Sequence, residues 1–231
     1  MKYVFDPRPG TIVPVIGSED VFPVHRIYCV GKNYADHVRE MGSTPDRDPP
    51  CFFMKPADAA TTENRIPYPP GTNNYHYEVE LVLAIGKEGR NITPETVKDY
   101  ICGYAVGLDM TRRDLQMASG GLGHPWDTGK GFDDSAPIAD IYPVSEVGHI
   151  ESGFIRAEVN GELRQDGNID DLIWKIDEII PALSKLFLLR PGDLIFTGTP
   201  AGVGPVVPGD KVVASIEGLG KLAIEITAPL H

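Results

Sequence analysis

Residues 75–86 alternate between polar and apolar side chains in a way that predicts a strand with two different faces. Side chains two positions apart lie on the same face of a strand. One face begins with Glu78 and Glu80 and continues with Val82 and Ala84. The other face is apolar throughout and carries Tyr77, Val79, Leu81, Leu83 and Ile85. The pattern therefore predicts a strand that runs from a polar mouth into a core, with two carboxylates side by side.

Further strands are predicted by short apolar runs. Residues 26–31 and 51–55 are rich in β-branched and aromatic side chains, which favour strands. The Asn160-Gly161 pair separates two strand-like segments and is the strongest short signal for a hairpin. The C-terminal residues 194–226 alternate between strand and turn patterns. Most of the chain is thus expected to form sheets.

Four segments predict helices. Residues 32–42 and 111–117 have helix-forming composition, and glycines follow both. Residues 93–101 begin with Thr-Pro, an N-cap followed by proline at the first helical position. Residues 169–189 carry apolar side chains at helical spacing, although Pro181 should kink this helix or mark its start. We expect the last of these to be a core helix.

The N-terminal segment differs from the rest. Residues 1–22 are rich in proline and interrupted by glycine, so they predict an arm or a small subdomain with an edge strand at most. All of the elements described above fall in residues 23–231. A chain of 231 residues can bury a full core. We therefore expect one main domain, residues 23–231.

Charge and cysteine usage limit the partners and the compartment. The formal net charge of −12 disfavours nucleic acid or an anionic membrane as a partner. No apolar run approaches the ~18 residues of a membrane helix, and no signal peptide is apparent. Cys29, Cys51 and Cys102 lie in apolar runs without C-x-x-C spacing, which favours reduced, buried thiols. These features predict a cytoplasmic protein.

Glu78 and Glu80 suggest a metal site. Two like charges this close raise each other's pKa unless a cation lies between them, and a hard divalent ion is the usual solution. Asp109 ends the strand-like run 103–110 after small residues on the same face, which leave room for an ion. An all-carboxylate site favours Mg²⁺ or Mn²⁺ over Zn²⁺, with Ca²⁺ as a further candidate. The alternative is a solvated face of an edge strand.

His37 and Glu40 form a second candidate pair. In a helix, residues three apart face each other, and a carboxylate that holds an imidazole makes it a better general base. The alternative is an ordinary surface pair. The following loop, residues 43–50, is rich in proline and aspartate and would suit a lid over a bound substrate.

Several basic residues could contact an anionic substrate. Lys55 is expected at the end of its strand, where the alternative is an exposed edge lysine with its stem packed. Arg112 and Arg113 begin the helix that follows Asp109, where the alternative is a solvated charged turn. Lys130 lies between two glycines in a predicted loop, either exposed or in contact with a ligand.

Motifs for nucleotide binding and serine catalysis are absent from the sequence. The glycine-rich residues 197–204 lack the G-K-[ST] ending of a phosphate-binding loop. Neither G-x-G-x-x-G nor G-x-S-x-G occurs.

From residue 23 to residue 226 the chain resembles the fumarylacetoacetate hydrolase family, and more narrowly its short acylpyruvase type. Long segments carry the resemblance: residues 27–37, 53–56, 77–81, 107–114, 130–133 and 197–200. Residues 68–77 and 113–117 are similar to the fumarylpyruvate-cleaving members. Residues 119–123 are rich in glycine, where the fumarylpyruvate-cleaving members are expected to carry charged residues. This difference concerns the preferred substrate more than the chemistry.

The resemblance implies a fold, a site and partners. The fold would be a mixed, β-rich α+β roll of sheets with few short helices, usually a homodimer, with residues 23–231 as the catalytic domain. Glu78, Glu80 and Asp109 would bind the metal. His37 and Glu40, on a lid that orders over the substrate, would be catalytic together with Lys130. The implied substrate-binding residues are Lys55, Arg113, Gln116 and Thr199.

The implied reaction is metal-dependent hydrolysis of the C–C bond of an acylpyruvate, a small 2,4-dioxo acid. Fumarylpyruvate, cleaved to fumarate and pyruvate in gentisate degradation, is the expected substrate. One alternative is a decarboxylase or isomerase of a 2-oxo acid on the same fold, of the oxaloacetate or oxopentene-tricarboxylate type. An alternative of another class is a non-catalytic structural protein that binds metal.

Overall fold

The computed structural model describes residues 2–230 and folds them into mixed sheets with few short helices. The predicted β-rich α+β fold class is confirmed. The strands are β1 (Ile12–Pro14), β2 (Val21–Pro23), β3 (Arg26–Gly31), β4 (Cys51–Lys55), β5 (Ala60–Thr61), β6 (Arg65–Pro67), β7 (Tyr75–Tyr77), β8 (Val79–Ile85), β9 (Ile101–Leu108), β10 (Thr111–Arg112), β11 (Ala136–Pro137), β12 (Tyr142–Pro143), β13 (Phe154–Val159), β14 (Glu162–Asn168), β15 (Asp193–Phe196), β16 (Gly204–Pro205), β17 (Lys211–Ile216) and β18 (Lys221–Thr227).

The helices are short. The α-helices are α1 (Ala35–Glu40), α2 (Arg113–Gly121), α3 (Asp127–Lys130), α4 (Val144–Val147) and α5 (Ile176–Leu186). Three 3₁₀ helices cover Ala57–Ala59, Pro94–Tyr100 and Ile169–Asp171. Within residues 2–230, no helix is both long and apolar enough to cross a membrane.

A six-stranded sheet holds the Glu78/Glu80 segment at its centre. Its strand order is β12-β9-β8-β15-β3-β4, so β8 is an internal strand. The alternative that Glu78 and Glu80 lie on a solvated edge strand is therefore wrong. The predicted single strand is interrupted at Glu78, because β7 pairs with β10 and β16 in a separate small sheet. Glu78 thus lies at the junction of two sheets.

The two faces of β8 pack into two cores, as its alternation predicted. Leu81, Leu83 and Ile85 belong to the larger core, which the five-stranded sheet β14-β13-β17-β18-β6 and helix α5 complete. Val82 and Ala84 belong to the smaller core on the opposite face. The Asn160-Gly161 hairpin is confirmed as the β13–β14 connection.

The N-terminal hairpin covers the smaller core. Strands β1 and β2 pair antiparallel, and Val13 and Phe22 are buried in that core. The predicted boundary between the N-terminal arm, residues 1–22, and the main domain, residues 23–231, falls within β2. That division of the chain stays a prediction.

Two predicted helices have different bounds in the structure. The helix expected from residue 169 begins only at Ile176 and contains Pro181 within it. Asn33 accounts for the delay, because its backbone carbonyl and side chain accept hydrogen bonds from the N–H groups of Ile173 and Trp174 at 2.8 and 2.7 Å. The helix that follows Asp109 continues to Gly121, through the glycines expected to break it.

Lys130 and the cysteines also differ from expectation. Lys130 ends the helical turn α3 rather than lying in a loop, and it is only 2 % exposed. Of the two alternatives for Lys130, exposure is wrong, and contact with a ligand stays a prediction. Its burial follows from the carboxylates described below. Cys29 is buried, but Cys51 is half-buried and Cys102 is exposed. The expectation of buried thiols therefore holds for Cys29 alone.

Gly107 is required by the packing of the smaller core. A Cβ atom at this position would lie 2.5 Å from Cγ2 of Val82 and 2.6 Å from Cε1 of Phe196. The small residues before Asp109 were expected to leave room for an ion, but Val82 and Phe196 fill the space beside Gly107. An ion would therefore have to bind at the end of the strand, next to Asp109.

Replacing Gly107 with alanine should destabilise the protein. The added methyl group overpacks a core, which costs about 1–3 kcal/mol. Urea titration followed by circular dichroism should show a lower midpoint for Gly107→Ala. Gly10→Ala is the matched control, because a Cβ at Gly10 meets no atom within 4 Å. Equal midpoints for the two variants would contradict this packing argument.

Candidate active site

The three predicted metal ligands meet where β8 begins and β9 ends. Antiparallel pairing places Glu80 opposite Gly107, and the N–H of Asp109 donates to the carbonyl of Glu78 at 2.8 Å. One carboxylate oxygen from each of Glu78, Glu80 and Asp109 lies within 4.8 Å of the others. The three side chains are 4 %, 2 % and 0 % exposed, respectively. The arrangement gives one cluster of oxygen donors shielded from water.

The ammonium group of Lys130 bridges two of these carboxylates. Its Nζ donates to Glu78 Oε2 at 2.9 Å, to Asp109 Oδ2 at 2.6 Å and to Thr111 Oγ1 at 2.7 Å. A lysine has three N–H donors, so all of them are used. Burial opposes the charge of Lys130, but Asp109 and Glu78 outweigh burial and raise its pKa. Lys130 is therefore a charged, fixed part of the centre.

Arg113 provides a second cation for Glu78. Its guanidinium donates to Glu78 Oε1 and, at 2.6 Å, to Oε1 of Gln116. Burial alone would raise the pKa of Glu78, but the charges of Lys130 and Arg113 hold it well below its ordinary value. Because the Gln116 oxygen faces Arg113, the amide nitrogen of Gln116 remains a donor for another group.

Glu80 differs from its neighbours because no cationic side chain pairs with it among residues 2–230. Its Oε2 accepts the N–H of Gly198 at 2.7 Å. Burial, followed by the charges of Asp109 and Glu78, raises the pKa of Glu80 well above its ordinary value. A nearby cation would relieve that repulsion.

A divalent cation fits this set of donors. The buried Oδ1 of Asp109 accepts no hydrogen bond within the described residues. Lys55 Nζ lies 2.8 Å from that oxygen, but not in hydrogen-bonding geometry. A cluster of three carboxylates, one of them without a cationic partner, supplies the oxygen ligands that suit Mg²⁺ or Mn²⁺.

The structure does not place Lys55 on the cavity wall, where a substrate-binding residue was expected. Lys55 is 1 % exposed, and its Nζ donates to the carbonyl oxygens of Met110 and Lys130. Because Lys55 is buried next to Asp109, its charge supports that carboxylate, and its role in substrate binding stays a prediction.

His37 and Glu40 are paired on α1. His37 Nδ1 lies 3.1 Å from Glu40 Oε2, and Glu40 Oε1 accepts the N–H of Gly202 at 3.0 Å. The hydroxyl of Tyr77 donates to the carbonyl of Gly202 at 2.9 Å. His37 is only 8 % exposed, so it is not part of an ordinary surface pair.

Residues 43–50 lie against the segment that leads into α5. Arg47 forms an ion pair with Glu178 and stacks over the Trp174 ring at 4.7 Å. The indole N–H of Trp174 donates to the carbonyl of Asp48 at 3.1 Å. These contacts hold the loop next to the pair on α1.

One cavity of about 490 Å³ brings most of the predicted site residues together. Glu40 and Lys55 do not line it; Glu40 contacts His37 from behind, and Lys55 supports Asp109. The predicted residues that line the cavity are His37, Glu78, Glu80, Asp109, Arg113, Gln116, Lys130 and Thr199.

Gln165 is a supporting residue that the sequence analysis missed. It is fully buried on β14, and its Oε1 accepts the N–H of Val79, between the two glutamates, at 3.0 Å. Its Nε2 donates to Thr199 Oγ1 and to the carbonyl of Pro200, each at 2.7 Å. Gln165 thus ties the carboxylate strand to the Thr199 loop. No spacing or motif signals this role.

Comparison with protein families gives a match over most of the chain. The family profile described as fumarylacetoacetate (FAA) hydrolase C-terminal matches residues 26–227. A fumarylpyruvate hydrolase from Ralstonia sp is 47 % identical over 175 residues, which cover 76 % of this chain and 91 % of that protein. The oxaloacetate tautomerase YcgM of Escherichia coli is 41 % identical over 200 residues, which cover 85 % and 90 % of the two chains.

Solved structures give a similar result. The fumarylpyruvate hydrolase from Pseudomonas aeruginosa in complex with Mn²⁺ and pyruvate has a TM-score of 0.96 and 50 % identity to this chain. The match covers 98 % of this chain and all of that one. A second structure, from Burkholderia cenocepacia, has a TM-score of 0.93 and 44 % identity, and it covers both chains completely.

Removal of one carboxylate should abolish tight metal binding. Isothermal titration with Mn²⁺ should show that Glu80→Ala binds at least about 100-fold more weakly than the unaltered protein, because even residues that only support ligands affect affinity about 10- to 100-fold. Glu19→Ala, at an exposed position on the N-terminal hairpin, is the matched control. Unchanged Mn²⁺ affinity of Glu80→Ala would contradict the assignment.

Proposed function

The chain belongs to the fumarylacetoacetate hydrolase family, and from this membership we propose that it hydrolyses the C–C bond of an acylpyruvate. The proposed substrate is fumarylpyruvate, and the products are fumarate and pyruvate. One observation carries the proposal: the carboxylate cluster and the His37 imidazole face the same cavity. Similarity to the proteins named fumarylpyruvate hydrolase supports this choice of substrate.

In the proposed reaction His37 activates water. With Nδ1 bonded to Glu40, the other ring nitrogen is left to take a proton. The resulting hydroxide attacks the 4-carbonyl carbon, the C3–C4 bond breaks, and its electron pair stays with the pyruvate part. C3 then takes up a proton. Glu40, held by the N–H of Gly202, stabilises the imidazolium and fixes the orientation of the ring.

Glu78, Glu80 and Asp109 would hold the divalent cation, Mg²⁺ or Mn²⁺. When bound, that cation supplies Lewis-acid stabilisation of the charge that develops on the 2-oxo acid end. Lys55, Arg113 and Lys130 pair with Glu78 and Asp109 and not with Glu80. Their three formal positive charges nevertheless equal the three formal negative charges of the carboxylates. Addition of a divalent cation therefore makes the centre positive, which suits an anionic substrate.

Gln116 and Thr199 are the proposed donors for the oxyanion formed at the 4-carbonyl. Thr199 Oγ1 accepts a hydrogen bond from Gln165, so its own O–H is free to donate towards the cavity. The amide nitrogen of Gln116 is the second donor. Lys130 contributes charge, but its three N–H donors are engaged by Glu78, Asp109 and Thr111.

A second candidate function is tautomerisation or decarboxylation of oxaloacetate. It is favoured by the similarity to the proteins named oxaloacetate tautomerase, at 39–41 % identity. These reactions need the same cation but no attack by water. The His37–Glu40 pair favours hydrolysis, since a positioned base is the component that water attack requires. A purely structural metal protein would need neither this base nor a cavity beside the carboxylates.

We further propose a homodimer that acts on a small 2,4-dioxo acid in the cytoplasm, as part of gentisate degradation. Sedimentation velocity on the purified protein tests the dimer directly, and a monomer over the working concentration range would contradict it.

A spectrophotometric screen with Mg²⁺ or Mn²⁺ tests the function. The substrates are fumarylpyruvate, maleylpyruvate, acetylpyruvate and oxaloacetate, each assayed before and after treatment with a chelator. We expect the highest kcat/KM for fumarylpyruvate, loss of activity with the chelator, and recovery with added cation. Turnover of oxaloacetate alone would select the second candidate, and no turnover of any substrate would select the structural one.

Replacement of His37 with alanine should lower hydrolysis by about 10²-fold or more, the usual contribution of a positioned general base. The Mn²⁺ affinity measured by titration should stay near that of the unaltered protein, because His37 is not a ligand. Any decarboxylation of oxaloacetate should fall less than hydrolysis does, since it needs no activated water.

Asp36→Ala is the matched control for this variant. Asp36 lies on α1 next to His37, but its side chain is 81 % exposed. Near-normal hydrolysis by His37→Ala, or a parallel loss of Mn²⁺ affinity, would refute the role of His37 as the base.

A further inference from the structure

We propose that Phe53, Trp126 and Lys32 form an acyl subsite that selects a planar, unsaturated acyl group ending in a carboxylate. This inference rests on the proposed function and concerns the part of the substrate beyond the C4 carbonyl. All three residues line the cavity that contains the carboxylate cluster. The chemistry they offer is an apolar floor of two aromatic rings that ends at an ammonium group.

The floor begins beside the carboxylates. Lys130 Nζ lies 5.2 Å from the centroid of the Phe53 ring. The Phe53 and Trp126 ring centroids are 5.6 Å apart, with an angle of 62° between the planes. Trp126 lies against Gly31, where a Cβ atom would be 3.0 Å from Cζ3 of the indole. Aromatic surface therefore extends from the metal site to the residue before Lys32.

Lys32 supplies the charge at the far end of this floor. Among the lining side chains that can be cationic, Arg113 and Lys130 are paired with the carboxylate cluster, and His37 is paired with Glu40. His124 also lines the cavity without an ion pair within the described residues, but only Lys32 carries a permanent charge. Lys32 forms no ion pair within residues 2–230 and is exposed at the cavity mouth. The Lys32 ammonium group is therefore available to pair with a carboxylate of the substrate.

The backbone at Lys32 gives independent support. Its φ is +58°, a left-handed conformation in a residue that is not glycine. Such conformations are costly, persist only where the surroundings impose them, and cluster at ligand sites. Lys32 directly precedes the buried Asn33, whose side chain bonds the backbone of Thr197 and Trp174. Asn33 thus fixes the chain that presents Lys32.

This geometry distinguishes related acyl groups. A trans-enoyl group is flat and extended, so it can lie on the aromatic floor with its carboxylate at Lys32. A cis-enoyl group, as in maleylpyruvate, bends that carboxylate away. An acetyl group has no distal carboxylate and gains nothing from Lys32.

The test is the ratio of kcat/KM for fumarylpyruvate to kcat/KM for acetylpyruvate. Lys32→Asn, a substitution that tolerates positive φ, should lower this ratio about tenfold or more, chiefly through the KM for fumarylpyruvate, because a hydrogen bond to a charged group is lost. Lys32→Arg should keep the ratio within about threefold, since it retains the charge. Lys221→Asn, exposed at the start of β18, is the matched control.

Several outcomes would overturn the subsite. Equal losses with both substrates would assign Lys32 a general role, and an unchanged ratio would remove its role altogether. If His124→Ala lowers the ratio and Lys32→Asn does not, the carboxylate contact belongs to His124, which also lines the cavity. An unaltered protein that prefers acetylpyruvate would refute the subsite while hydrolysis of acylpyruvates stands. If it hydrolyses neither substrate, the proposed function and this inference both fail.

Discussion

The structure of the site depends on the cations that pair with Glu78 and Asp109, two of the three carboxylates buried together in the site. A buried ion without a partner costs several kcal/mol, so Glu78 and Asp109 can share the interior only because cations reach both. Lys130 arrives from α3, Arg113 from α2 and Lys55 from β4. Three separate segments therefore contact Glu78, just before β8, or Asp109, just after β9. The buried ion pairs thus help to position α2, α3 and β4, and the packing of these elements in turn holds the charged groups together.

The position of β8 makes this concentration of charge possible. As an internal strand it has hydrogen-bonded neighbours on both sides, and its side chains pack into a core on each face. Gln165, from the other large sheet, bonds the backbone between the two glutamates and also the Thr199 loop. The proposed metal ligands on this strand and Thr199, one of the proposed oxyanion donors, thus share one support. Preorganisation of this kind is the main way in which a protein stabilises charge that develops during a reaction.

The sequence predicts the local patterns of this structure better than the long-range contacts. Alternation in residues 75–86 assigned both faces of β8 correctly, because each face has its own apolar core. The burial of Lys130 could not be read from its flanking glycines, since it depends on acids far away along the chain. Gln165 likewise lies in an ordinary hairpin, and only the contact between sheets reveals its role. The start of α5 was missed because Asn33, a distant residue, diverts the preceding segment.

The two ends of the cavity differ in how many charged groups a substitution would disturb, and this difference affects where family members can change their activity. At the carboxylate end every cation is buried and shared between partners, so a change there disturbs several charges at once. At the acyl end Lys32 is exposed, and the nearby α1 is linked to the Gly202 loop through Glu40. Relatives named for hydrolysis and for tautomerisation are 47 % and 41 % identical to this chain, so overall identity does not separate the two activities. The residues that decide between them are better sought at α1 and the acyl end, where substitution leaves the buried charges in place.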